Sequence, residues 1–128
     1  MNIPPNLKYT TSHEWVRKEA DGSLTVGITD YAQDALGDLV YVELPQPGAK
    51  FEAGQPCAVV ESVKAASDVY APVGGEILAT NTDLITKPEA VNEDAFAAWL
   101  FKIKPFDAGA ADALLSAESY QQNLAAEK

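Results

Sequence analysis

One amine stands among carboxylates in the middle of this chain. Between positions 51 and 86 Lys64 is the only cation, while Glu52, Glu61, Asp68, Glu76 and Asp83 are acidic. An isolated lysine can be acylated as a tether, can form a Schiff base, or can simply be solvated, the ordinary fate of a lysine in a turn. Schiff-base chemistry asks for a desolvated lysine beside a second cation, and the charged neighbours here have the wrong sign. The other reactive types are sparse: one histidine, His13, beside Glu14, and one cysteine, Cys57, inside the apolar run Cys57-Ala58-Val59-Val60. His13 and Glu14 could be imagined as a base with its orienter, but adjacent side chains on a strand point to opposite faces. A packed or surface histidine is the expectation. With no cation beside it to favour a thiolate, Cys57 is expected to be a buried strand residue. One cysteine and one histidine cannot build a disulfide framework or a zinc site. No phosphate loop, GxGxxG, nucleophile elbow or HExxH is present.

The elements that must position Lys64 are legible on both sides of it. Val59-Val60-Glu61-Ser62-Val63 and Ala66-Ser67-Asp68-Val69-Tyr70 are two β-rich runs joined by small residues, which predicts a hairpin with Lys64 at its tip. Pro72-Val73-Gly74-Gly75 closes the second run, because proline cannot donate to a ladder and glycines accept turn dihedrals. Upstream, Asp21-Gly22-Ser23 predicts a turn between Trp15-Val16-Arg17 and the alternating strand Leu24, Val26, Ile28. A short helix is expected from Thr29 to Gly37, with Asp30 as cap and Gly37 as stop. Strands are expected over 38–44, from Phe51, over 76–80 and over 99–103, with a loop or single helical turn at 86–89. Ala113, Ala117, Tyr120 and Leu124 recur at helical spacing, predicting a terminal helix that breaks near Ser116 and caps a β core.

Composition narrows the classes of partner. The 128 residues are expected to form one domain, 1–128, around a single modest core. A formal charge of −10 argues against nucleic acid or an anionic membrane, both of which call for a basic face, and favours protein partners with basic patches. No apolar window is long enough to span a bilayer, and residues 1–7 lack a basic leader with an apolar core, so a cytoplasmic location is expected. Many short strands with turn signals imply a sandwich or barrel. The run Asp38-Leu39-Val40-Tyr41 to Pro47-Gly48 weakly repeats in Asp68-Val69-Tyr70 to Gly74-Gly75, suggesting two related β halves.

The segment Glu61-Ser62-Val63-Lys64-Ala65-Ala66-Ser67-Asp68-Val69-Tyr70-Ala71-Pro72 resembles the lipoyl-lysine segment of the glycine cleavage system H-protein family. Other segments are similar in the same order along the chain: Ser12-His13-Glu14-Trp15-Val16, Val26-Gly27-Ile28-Thr29-Asp30-Tyr31-Ala32-Gln33, the run from Leu36 to Pro45, and Trp99-Leu100-Phe101-Lys102-Ile103. Together they cover most of 7–124. The resemblance implies a mainly β barrel-sandwich hybrid of the lipoyl and biotinyl type with short helices, including the C-terminal one. It implies lipoate in amide linkage on Lys64, with Glu61 three residues before and Gly75 eleven after as recognition positions for a lipoate ligase or a lipoyl or octanoyl transferase. Departures are local: residues 92–99 lack the proline and glycine many relatives carry before the last tryptophan, and Tyr31 and Ala35 stand where some have histidine.

The resemblance carries implications for function as well. A pyridoxal-phosphate glycine decarboxylase would pass an aminomethyl group from glycine to the lipoyl sulfur, an aminomethyltransferase would pass the one-carbon unit to tetrahydrofolate, and dihydrolipoyl dehydrogenase, with FAD, would reoxidise the dithiol. The chain would be a monomeric carrier, not an enzyme. Ser12, Glu14 and Asp68 are the residues expected to shelter the cationic loaded arm, since carboxylates and hydroxyls bind an ammonium; a solvated polar face is the alternative for them. A lipoyl carrier or lipoate relay serving 2-oxoacid dehydrogenases is the competing function, although the 12–15 segment and the terminal helix exceed a bare lipoyl domain.

Overall fold

The computed structural model describes residues 2–127, with the side chain of Glu127 left out. Among the described residues nine strands form two antiparallel sheets, neither closed on itself. The larger has the order β1-β2-β3-β9-β8-β5, and the smaller β4-β6-β7. Their strands are β1 (Lys8–Tyr9), β2 (Glu14–Lys18), β3 (Leu24–Ile28), β4 (Leu39–Glu43), β5 (Lys50–Phe51), β6 (Pro56–Ser62), β7 (Ala66–Tyr70), β8 (Gly75–Thr80) and β9 (Phe101–Pro105). The helices are short: α1 (Asp30–Leu36), α2 (Asp83–Thr86), α3 (Ala90–Glu93) and α4 (Ala117–Glu127), with a 3-10 turn at Ala110–Ala113. This is the expected mainly β barrel-sandwich architecture. The repeat seen in sequence has a structural counterpart, since β4 and β7 flank the same strand, β6, and the strands next along the chain from them, β5 and β8, pair with each other.

Residues from both sheets share the main core. Val16, Val26, Ile28, Ile77, Phe101 and Ile103 of the larger sheet belong to one apolar cluster with Leu39, Val42, Ala58, Val60 and Val69 of the smaller. A second, aromatic cluster joins Leu7, Tyr9, Trp15, Tyr120 and Leu124. It explains a departure from the alternating pattern expected of β3. All five of its residues are buried, because the face opposite the main core is covered too: Gly27 lies under the Trp15 indole and Thr25 donates to Glu19 at 2.6 Å. Alternation therefore marks one face of β3 without implying that the other is wet.

Three local expectations shift. The cap of α1 is Thr29, whose hydroxyl accepts from the Ala32 N–H; Asp30 is instead the first helical residue, accepting from the Asn2 N–H and from Gln33. Two short helical turns, α2 and α3, occupy the stretch before β9, and β9 begins two residues later than Trp99. The C-terminal stripe starts at Ala117 and runs through Tyr120 and Leu124, while Ala113 is exposed in the preceding 3-10 turn. Ser116 does break the two, accepting the Ser119 N–H at its hydroxyl and the Tyr120 N–H at its carbonyl.

Candidate functional site

Lys64 lies in the link between β6 and β7, and a serine builds that link. The Ser62 hydroxyl accepts the backbone N–H of Lys64 at 3.3 Å and of Ala65 at 3.1 Å, and the Ser62 N–H donates to the Ala65 carbonyl at 2.7 Å. A serine side chain that takes up the turn's own donors fixes a bend without help from neighbouring elements. The backbone under Lys64 is thus held while the residues around it stay in solvent: Val63 is 84% exposed, and Lys64, Ala65 and Ala66 are exposed as well. The lysine is a protruding amine.

A second feature sits on β2. Glu14 is only 1% exposed, and a carboxylate taken that far from water must be satisfied by hydrogen bonds. Oε1 accepts from the Thr10 and Ser12 hydroxyls, each at 2.5 Å, and Oε2 accepts the Tyr70 N–H at 3.2 Å. The last bond ties β7 of the smaller sheet to β2 of the larger. Beside it opens a cleft of about 460 Å³ lined by Thr10, Ser12, Glu14, Tyr70, Pro72 and Leu115 among others. A carboxylate offers about four lone-pair sites, so these three bonds leave one acceptor position on Oε2 unused.

Burial and the Glu14 carboxylate also act on Cys57. Its thiol is pushed up to about 12, first by burial and then by Glu14, and it donates to the Val69 carbonyl at 3.3 Å. The expectation of a buried strand cysteine holds. His13 and Glu14 do part company, but not by strand alternation: His13 lies just before β2, in a bend with φ of 73°. His13 Nδ1 is 2.9 Å from the Tyr120 hydroxyl, which also meets the Thr29 hydroxyl at 2.7 Å. The histidine belongs to the seam under α4.

Of the site residues expected from sequence, Ser12 and Glu14 come together in one hydrogen-bonded group. Asp68 does not join them: it is exposed on β7 opposite Val59 and outside the cleft lining. Glu61 is half-buried on β6 between Tyr41 and Ala66. Gly75 is buried at the start of β8, where a Cβ would lie 2.5 Å from the Lys104 carbonyl oxygen, so strand packing alone requires glycine there. Sequence reasoning missed Thr10 and Tyr70. Tyr70 contributes a backbone N–H, which leaves no mark on residue type; Thr10 could have been found as a hydroxyl four residues before a carboxylate.

The glycine cleavage H-protein family model matches residues 7–127 of the chain. A glycine cleavage system H protein of Aromatoleum aromaticum is 62% identical over 124 residues, 97% of each chain. One from Nitrosomonas europaea is 60% identical over 127 residues, 99% of this chain and 98% of the relative. In structure, a glycine cleavage system H protein from Mycobacterium marinum superposes with a TM-score of 0.87 at 39% identity, covering 96% of this chain and 99% of the other.

Proposed function

The chain belongs to the glycine cleavage H-protein family, and from that premise we propose that it is a lipoyl carrier with lipoate in amide linkage on Lys64. The observation that carries the reading is the exposed amine on a turn whose backbone is fixed by Ser62. A ligase needs an accessible nitrogen and a carrier needs a mobile arm on a rigid base; this link offers both. When attached, lipoate would supply a strained cyclic disulfide reactive toward nucleophiles and reductants. The protein's own residues present, shelter and release. The chain as a whole, 1–128, acts as one carrier domain and catalyses no step.

Its partners are the pyridoxal-phosphate glycine decarboxylase, the tetrahydrofolate-dependent aminomethyltransferase and the FAD-bearing dihydrolipoyl dehydrogenase, with a lipoate ligase or lipoyl or octanoyl transferase as modifying enzyme, in the cytoplasm. Glu14 and Ser12 supply the resting place for the cationic end of the arm. The open acceptor position of Glu14 and the adjoining cleft support this. Asp68 contributes less, as a solvent-facing carboxylate on the strand between tip and cleft. Glu61 and Gly75 act in modification, Glu61 by contact near the tip and Gly75 by keeping β8 and β9 in register.

Intact mass after incubation with a lipoate ligase, ATP and lipoate tests the assignment. One lipoyl increment is expected on the native chain and none on Lys64→Ala; an increment retained by the variant would refute it. Glycine–bicarbonate exchange reconstituted with the decarboxylase then separates glycine cleavage from service to 2-oxoacid dehydrogenases.

A further inference from the structure

Strand register brings the link between α1 and β4 alongside Lys64. Leu39 faces Ser62 at the end of the antiparallel β4–β6 pair, which leaves the link just before Leu39 next to the turn just after Ser62. The side chains agree with the backbone: a Cβ placed on Gly37 would lie 3.5 Å from Lys64 Cε and 3.9 Å from Nζ. Glycine therefore leaves that flank of the lysine bare, and its φ of 86° is one that other residues rarely adopt. What holds the link comes from α3. Asn92 Nδ2 donates to the Gly37 carbonyl at 2.9 Å and to Gln33 Oε1 at 3.0 Å, while Oδ1 accepts the Leu39 N–H at 2.9 Å. One amide thus ties the end of α1, the link and the first residue of β4, using three of the four hydrogen bonds an amide can make.

We propose that Asn92 is a positioning residue for acylation of Lys64. Through Gly37 it fixes the surface that flanks the amine, so that the modifying enzyme meets hairpin tip and link as one rigid shape. The inference rests on Lys64 being the attachment point. The partner is an enzyme presenting an activated lipoyl or octanoyl group, as an acyl adenylate or a thioester. Nζ forms the amide bond to the acyl carbon, and the bond from that carbon to phosphate oxygen or sulfur breaks. The activating group leaves with the electron pair, and the ammonium gives up two protons to the enzyme, leaving group or solvent. A shift of the link by a fraction of an ångström alters the approach, to which transfer rates are steeply sensitive.

Initial rates of acylation of the full chain by a lipoate ligase, read by intact mass over a range of carrier concentrations, test this. Asn92→Ala should lose about tenfold in kcat/KM, a tenth of the ~100-fold that a 1 Å misplacement can cost, and amide exchange at Leu39 should accelerate. Asn92→Asp, which keeps the acceptor for Leu39 and loses both donors, should fall in the same direction and serves if the alanine variant does not fold. Asn81→Ala is the control, since it removes a comparable bond, Asn81 Nδ2 to the Trp99 carbonyl at 2.9 Å, that does not touch the link. Native efficiency in the Asn92 variants, or an equal loss in Asn81→Ala, would overturn the proposal while leaving Lys64 as attachment point intact. Absence of acylation in the native chain would remove both.

Discussion

The β2–β3 and β6–β7 hairpins are alike in sequence pattern and opposite in use. In the first, β3 and the start of β2 are sealed on both sides, with only Arg17 and Lys18 at the far end of β2 exposed: Trp15 and Val26 have no solvent exposure, and the Trp15 indole N–H donates to the Ala95 carbonyl at 3.0 Å. In the second, strand interiors such as Val60 and Val69 are buried while the tip from Val63 to Asp68 is in solvent. One hairpin anchors α4 through the aromatic cluster; the other displays an amine. The difference lies in what covers the second face, not in the propensity of the strands. Glu14 joins them, being the first residue of β2 and the acceptor for the N–H of Tyr70, the last residue of β7.

If that contrast is right, substitutions in the first hairpin should cost stability and those at the second tip should cost modification. The largest effect is expected from Trp15→Ala, which removes the biggest fully buried side chain and should destabilise by about 3–5 kcal/mol, the range for large aromatic truncations in cores. Gly27→Ala comes next. Its Cβ would fall 2.6 Å from the Trp15 ring, and such overpacking costs roughly 1–3 kcal/mol. Urea midpoints of both variants check these values. A Gly27→Ala protein as stable as the parent would mean that the indole has room to move and that the sealed face is looser than its geometry.

Sequence made the second hairpin easier to read than the first. A lone cation between two β-rich runs draws attention to Lys64, and the resemblance of 61–72 to a lipoyl-lysine segment is what separates it from an ordinary solvated turn lysine, while turn chemistry at Asp21-Gly22-Ser23 and Gly37 marks the ends of neighbouring elements. The coverage of β3 was not legible, because the Trp15 indole that lies over Gly27 is itself held in place by a cluster drawn from separate segments, 7–9, Phe96 and 120–124, which no local pattern reveals. The same reason hid the Asn92 clamp, whose bond to the Gly37 carbonyl spans 55 residues. Ser12 and Glu14 are legible because a hydroxyl and a carboxylate, the groups that suit a cationic amine, fall in a family-like segment. Asp68 lies in the same family-like segments, but the tip half of β7, Ala66 to Asp68, is exposed on both faces, so its carboxylate stays in solvent.

Glu14 offers a way to sharpen the comparison through pH. Because folding raises the Cys57 thiol to about 12, the folded chain keeps that proton longer than the unfolded one. The stability this brings is complete below the ordinary thiol range and is lost as pH rises from about 9 toward 12. The thiol should therefore resist a disulfide reagent at pH 8 until the chain is unfolded. Glu14→Gln removes the second cause of the shift, so thiol labelling should begin at lower pH. The same substitution, or Glu14→Ala, should shorten the lifetime of the aminomethyl-loaded carrier measured by release of formaldehyde and ammonia. A lifetime equal to the parent's would take Glu14 out of the shelter and leave it as the stitch between the two sheets.

The smallest change in stability is expected at the tip itself. Val63 is 84% exposed, so Val63→Ser removes almost no buried apolar surface, and exposed substitutions of this kind fall within about 0.5 kcal/mol. The bend does not depend on it, since Ser62 supplies the hydrogen bonds that hold the Lys64 and Ala65 backbone. Lys64→Arg should be equally silent in stability, yet it replaces an acylatable amine with a guanidinium and should abolish the lipoyl increment. Ser62→Ala separates the two properties: it leaves the amine in place but removes the acceptor for both tip N–H groups, so its urea midpoint should fall slightly while acylation of Lys64 slows by a larger factor. Acylation of Ser62→Ala at the parent's rate would show that the modifying enzyme shapes the tip for itself, and that the rigid bend serves some later step of the carrier.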